Sequence, residues 1–142
     1  MIEIRRHALV RKTPERMFDL VNDVEAYPRR FTWCASAQVL ERDGDASMIA
    51  RLDLRFAGFT HSFTTRNTLQ RPSHLSVRLV EGPLRALDGE WTFEPLGADG
   101  CKIALALDFD YSGLLTGPFR LGFQGLANRM VDDFCAAAKA DD

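Results

Sequence analysis

From position 119 onward, apolar residues recur every three or four places: Phe119, Phe123, Leu126, Met130, Val131, Phe134 and Ala138. That spacing predicts one long amphipathic helix with a continuous apolar stripe. Upstream the period is two. Met48, Ala50, Leu52, Leu54 and Phe56 alternate with Ile49, Arg51, Asp53 and Arg55. Leu87, Gly89, Trp91 and Phe93 stand opposite Asp88, Glu90, Thr92 and Glu94. Ile103, Leu105, Leu107, Phe109 and Tyr111 stand opposite Lys102, Ala106, Asp108 and Asp110. Each run predicts a strand with one buried face.

The remaining elements follow from local signals. Ile2 to Val10 reads as a first strand. Thr13-Pro14-Glu15 opens a helix: Thr13 can cap it, Pro14 suits its first position, and Met17, Phe18, Leu20 and Val21 form its apolar face. A second short helical segment, from Val24 to Tyr27, is predicted to end at Pro28. Strands are predicted over Trp33 to Arg42, Phe59 to Gln70 and His74 to Glu81, with Phe59, His61 and Phe63 on one inward face. Turns fall at Asp43-Gly44-Asp45, Ala57-Gly58, Arg71-Pro72-Ser73, Gly82-Pro83 and from Gly97 to Gly100. A loop from Gly113 to Pro118 leads into the last helix. The order is strand, two short helices, six strands, long helix. This predicts an α+β fold, an antiparallel sheet of about seven strands curved around the C-terminal helix. Such a sheet leaves an apolar cavity against the helix.

At 142 residues the chain is expected to form one domain, 1–142. A formal charge of −2 gives no global attraction to nucleic acid or anionic membrane. Charge is uneven, though. Arg5, Arg6, Arg11 and Lys12 cluster early, with Arg29 and Arg30 behind them, and acid gathers late in Asp132, Asp133, Asp141 and Asp142. Cys34, Cys101 and Cys135 are far apart and sit among apolar residues, so buried reduced thiols are expected. The N-terminus has no apolar run of signal-peptide length, and a cytoplasmic protein is expected, with transient contact at the inner membrane surface.

Three segments carry a resemblance beyond this pattern. They are Tyr27-Pro28 through Trp33-Cys34, Gly82-Pro83 through Gly89-Glu90-Trp91-Thr92-Phe93, and Met130-Val131 with Phe134. In that order they resemble the coenzyme Q-binding family of START-like proteins, within the polyketide cyclase/dehydrase-like superfamily. Arg30, Thr32 and Leu84 depart from its usual aromatic, Pro and Phe. The resemblance implies a helix-grip (START-like, Bet v 1-like) fold around a hydrophobic cavity. It implies ubiquinone or a related polyprenyl lipid as ligand, held without catalysis in support of respiration. Bacterial relatives are described as a ribosome association toxin that binds the large ribosomal subunit. Others are cyclase/dehydrase-like enzymes.

The candidate ligand-binding residues are those on the inward faces: Phe63, Trp91, Phe109, Tyr111, Phe123 and Met130. Aromatic rings and one pliable Met suit a quinone ring and its tail. His61 lies between Phe59 and Phe63 on the same predicted face. It is either a core histidine or a donor to a quinone carbonyl. Trp33 and Arg85 are the candidates for the cavity mouth. No nucleophile, phosphate-loop or metal-ligand spacing occurs, so no cofactor is expected beyond a bound quinone, and no metal.

Overall fold

The protein was studied as a computed structural model, which describes residues 1–141; Asp142 lies outside the described residues. Strand β1 (Ile2–Val10) precedes helix α1 (Pro14–Asn22), a tight helical turn (Val24–Ala26) and helix α2 (Tyr27–Arg30). Six strands follow: β2 (Cys34–Asp43), β3 (Ser47–Phe56), β4 (Phe59–Gln70), β5 (His74–Glu81), β6 (Leu84–Leu96) and β7 (Gly100–Tyr111). Helix α3 (Gly117–Ala140) closes the chain. The seven strands form one sheet in the order β1-β7-β6-β5-β4-β3-β2, every neighbouring pair antiparallel. The sheet curves around α3 in the helix-grip arrangement.

The first strand pairs with the last. Ile2 lies opposite Phe109, and Val10 opposite Cys101. The other pairings join consecutive strands, so short turns fix their register. Helix α3 lies along the concave face. Phe119 meets Phe56 of β3 at 5.0 Å, Phe123 meets Phe63 of β4 at 5.7 Å, and Phe134 meets Trp91 of β6 at 5.2 Å between ring centroids. The stripe of spacing three and four therefore runs diagonally across the strands.

Both helix starts are capped as their residues dictate. Thr13 Oγ1 accepts from the Arg16 N–H, and Thr116 Oγ1 accepts from the Phe119 N–H, both at 3.2 Å. A Pro follows each cap, where an N–H has no partner within the helix.

Four local features differ from, or add to, the sequence expectation. Pro28 does not end a helix; it sits in the first turn of α2, where the missing N–H costs nothing. Helix α3 begins at Gly117, so Pro118 belongs to its first turn rather than to a loop. Strand β6 begins at Leu84, and a bulge between Leu84 and Ala86 lets Leu84 and Leu87 both be buried although three positions apart. Phe59, expected inward, is 74% exposed because it sits at the tip of the β3–β4 hairpin, beyond the reach of α3.

Candidate functional site: an apolar cavity under the C-terminal helix

A cavity of about 110 Å³ lies between α3 and the sheet. Leu54 of β3, Phe63 of β4, Val77 of β5, Trp91 of β6 and Leu107 of β7 form its floor. Phe123, Met130 and Phe134 of α3 form its roof, and Val21, Val24 and Tyr27 close one end. A dry apolar cavity of about 150 Å³ binds benzene, so this one is somewhat smaller than a single ring needs without side-chain movement and falls far short of a polyprenyl chain.

Four of the residues singled out from the sequence line it: Phe63, Trp91, Phe123 and Met130. The others are placed elsewhere. Phe109 is fully buried behind the cavity, its ring 5.0 Å from that of Phe123. Tyr111 lies further along β7. Its hydroxyl donates to the Arg120 carbonyl at 3.0 Å, and the Arg120 guanidinium stands 4.9 Å over its ring. His61 stacks on Phe56 at 4.3 Å and meets the edge of Phe119 at 4.9 Å. Those two rings fill the space that His61 was expected to enter, and its Nε2 is 3.2 Å from the Phe56 carbonyl oxygen.

Neither mouth candidate stands at an opening to the cavity. Trp33 is buried, stacked on Phe31 at 4.6 Å, with its indole N–H donating to Asp133 Oδ2 at 2.9 Å. Arg85 is exposed, 3.9 Å from the Asp110 carboxylate.

Most of the aliphatic lining was not singled out from the sequence, and neither were its two polar residues. Thr65 and Asn67 of β4 are each 5% exposed and line the cavity. Thr65 Oγ1 donates to Asn67 Oδ1 at 2.9 Å. Carrying the inward parity of Phe63 two and four places further finds them both. Among the described residues Tyr27 is the one titratable side chain in the lining. Its hydroxyl donates to the Val21 carbonyl, and burial raises its pKa well above the ordinary phenol range.

Burial pushes the Cys34 and Cys101 thiols up to about 11 and raises Cys135 as well, and all three are unpaired. Among the described residues no group of His, Cys, Asp and Glu is arranged to hold a metal ion. No helix among them is long and apolar enough to cross a membrane.

The convex face of the sheet carries a basic strip. Arg66 of β4 lies directly opposite Arg78 of β5, and Arg51 of β3 is its diagonal neighbour on the same face. Arg51 and Arg78 pair with Asp53 and Asp88 at 3.2 and 3.1 Å. Arg66 has no ion-pair or hydrogen-bond partner among the described residues, although like charges face each other there. By contrast Arg5 is held by Asp108 and Glu3, and Arg6 lies 4.0 Å from Asp132.

Residues 10–135 match the family described as polyketide cyclase/dehydrase and lipid transport. The chain belongs to that family. A ribosome association toxin, RatA, of Pseudomonas aeruginosa is 42% identical over 140 residues, covering 96% of this chain and 94% of the relative. The solved structure of an aromatase/cyclase, Zhui, from a Streptomyces species superposes with a TM-score of 0.86 at 19% identity, over 97% of this chain and 93% of that one. A START superfamily protein from Mycobacterium smegmatis superposes at 0.79 and 21% identity, over 98% and 95%. These two structures share the fold. The fold alone therefore does not decide what this chain does, and the site must be weighed beside it.

Proposed function

We propose that this protein binds the ribosome and regulates it in the manner of the ribosome association toxins, with the large subunit as its target. The observation that carries this reading is the likeness to the Pseudomonas aeruginosa relative, which runs nearly end to end in both chains. The convex face supports it. A strip of Arg51, Arg66 and Arg78 presents guanidinium groups at the spacing of adjacent strands, and the two carboxylates beside them leave one charge uncompensated. Guanidinium groups bind phosphate with two parallel N–H donors. The early cluster is a weaker contact than its composition implies, because Arg5 and Arg6 already face carboxylates.

Co-sedimentation tests this reading. The purified protein is expected to travel with ribosomal subunits through a sucrose gradient at low salt and to leave them steeply as salt rises. The triple change Arg51→Ala, Arg66→Ala and Arg78→Ala is expected to weaken that binding at least tenfold. If the unaltered protein stays at the top of a low-salt gradient, the reading is wrong.

A second reading rests on the cavity: non-catalytic binding of a hydrophobic small molecule, such as the ring of ubiquinone or a related quinone. A long prenyl tail exceeds about 110 Å³, so the tail would leave the protein or displace α3. Phe59, Leu114 and Leu121 are 74%, 94% and 76% exposed near the start of α3 and the β3–β4 hairpin, which supports transient contact with a membrane surface. General acid–base catalysis needs a titratable group at the substrate. The lining offers only Tyr27, whose proton is already committed to the Val21 carbonyl, and this supports the non-catalytic reading. Mass spectrometry of solvent extracts of the purified protein is expected to find a co-purifying neutral aromatic or quinone. Extracts that contain none above the level of an unrelated control protein would count against it.

A further inference from the structure

We infer that Asn67 is the recognition point for one uncharged hydrogen-bond acceptor on a ring-sized ligand, so that the cavity selects aromatic ketones or quinones over pure hydrocarbons. The inference rests on the cavity-binding reading above and adds the chemistry of what the cavity takes.

Apart from aromatic and thiol side chains, Thr65 and Asn67 are the buried residues with polar side chains among the described residues, and both face the same cavity. Their mutual hydrogen bond uses the Asn67 carbonyl oxygen, which accepts from Thr65 Oγ1. The Asn67 amide nitrogen keeps two N–H donors and has no partner among the described residues. Buried donors are almost always paired, because leaving one unpaired forfeits its hydration for nothing. The Asn67 amide nitrogen is not among the enclosed unpaired polar atoms, so it reaches open space; on a residue 95% buried that lines the cavity, it is fitted to an acceptor that arrives with a ligand. Thr65 orients it: by engaging the carbonyl oxygen it fixes which end of the amide faces the cavity.

The remaining lining sets the ligand's other properties. Among the described residues no Lys, Arg, His, Asp or Glu lines the cavity, so a carboxylate or an ammonium would lose its hydration without a counter-charge. Phe63, Trp91 and Phe123 offer ring faces and edges, and a volume of about 110 Å³ limits the ligand to one small ring, admitted as the pliable Met130 side chain shifts. The acceptor is thus a neutral carbonyl on a compact aromatic or quinonoid ring.

Acetophenone and α-methylstyrene form a matched pair of probes, equal in shape but differing by C=O against C=CH₂. Titration calorimetry of the native protein is expected to show acetophenone bound about fivefold more tightly, as one net neutral hydrogen bond gives. Asn67→Leu is expected to abolish or reverse that preference while α-methylstyrene still binds. On the native protein, the Asn67 side-chain amide resonances are expected to move downfield with acetophenone and not with α-methylstyrene. That measurement stands even if Asn67→Leu fails to fold. Equal binding of both probes with unmoved amide resonances overturns the Asn67 assignment and leaves the cavity reading standing. Failure of both to bind at millimolar concentration overturns the cavity reading and the assignment with it.

Discussion

Trp33 and Asp133 stand 100 residues apart in sequence and share one hydrogen bond, the indole N–H donating to Asp133 Oδ2 at 2.9 Å. It ties the lead-in to β2 to the second half of α3. Asp133→Ala leaves a donor unpaired on a side chain that is almost wholly buried, which is expected to cost about 1–3 kcal/mol. In a Trp33→Phe background the same change has no donor to orphan and is expected to cost distinctly less. Urea unfolding of the four proteins measures the difference. Equal costs in both backgrounds would mean the bond contributes nothing.

Asp141 closes α3 with a carboxylate, the wrong sign for the negative end of a helix dipole. Arg30 at 2.6 Å and Arg16 at 2.9 Å compensate, and they hold the Asp141 carboxyl below the usual carboxylate range. A carboxyl depressed in the folded state stabilises above its unfolded pKa of about 3.9, and that contribution fades as pH falls through the folded value. An NMR titration is expected to place the Asp141 midpoint below about 3.9 and to move it upward in Arg30→Ala. An unchanged midpoint in that variant would remove Arg30 as the cause.

Two glycines of α3 are expected to respond oppositely to the same change. A Cβ at Gly125 would meet nothing within 4 Å, so Gly125→Ala is expected to stabilise by about 0.5–1 kcal/mol through helix propensity. A Cβ at Gly122 would lie 3.0 Å from Phe56 Cδ2 and 3.2 Å from the Ala57 backbone nitrogen. Gly122→Ala is therefore expected to destabilise by about 1–2 kcal/mol, since backbone cannot swing aside. Thermal unfolding that shifts in the same direction for both variants would contradict this packing.

The three cysteines are expected to resist modification in the folded protein. Thiolate is the reactive form, and with Cys34 and Cys101 pushed up to about 11 very little exists at pH 8. Ellman's reagent should titrate three thiols quickly in denaturant and almost none without it. Because these pKa values are raised in the folded state, their contribution to stability is complete below about pH 8.5 and is lost as pH climbs toward 11. Rapid labelling of the native protein would show that the thiols are reached without unfolding.

Much of the fold was legible because its strands alternate cleanly. Ile103, Leu105 and Phe109 read as one face and are buried as one face. The stripe of α3 was equally plain, and Phe119, Phe123, Leu126 and Phe134 are all buried. What failed was local. The bulge after Leu84 changes the parity of a strand, and nothing in the residue types announces it. Phe59 was assigned by parity, but a hairpin tip reaches past the helix that would cover it. The cavity's polar wall was hidden for a different reason. Polar residues on an inward face look like surface until the strand beside them is known, and Asn67 lies between Met48 on β3 and Val77 on β5. His61 had the right parity as well, yet Phe56 and Phe119 occupy the ground in front of it, a three-dimensional fact with no one-dimensional signature.

The pairing of β1 with β7 sets the order in which the newborn chain can assemble. Ile2 leaves the ribosome more than a hundred residues before its partner Phe109, roughly 5–20 s earlier at ordinary synthesis rates. Through that interval β1 has no strand to pair with, and the concave face has no α3 to cover it. The hairpins from β2 to β6 can form one after another, whereas closure waits for β7 and α3. Chains that stall before α3 would leave the apolar floor open, with Phe56, Phe63 and Trp91 lacking the rings of Phe119, Phe123 and Phe134 that cover them.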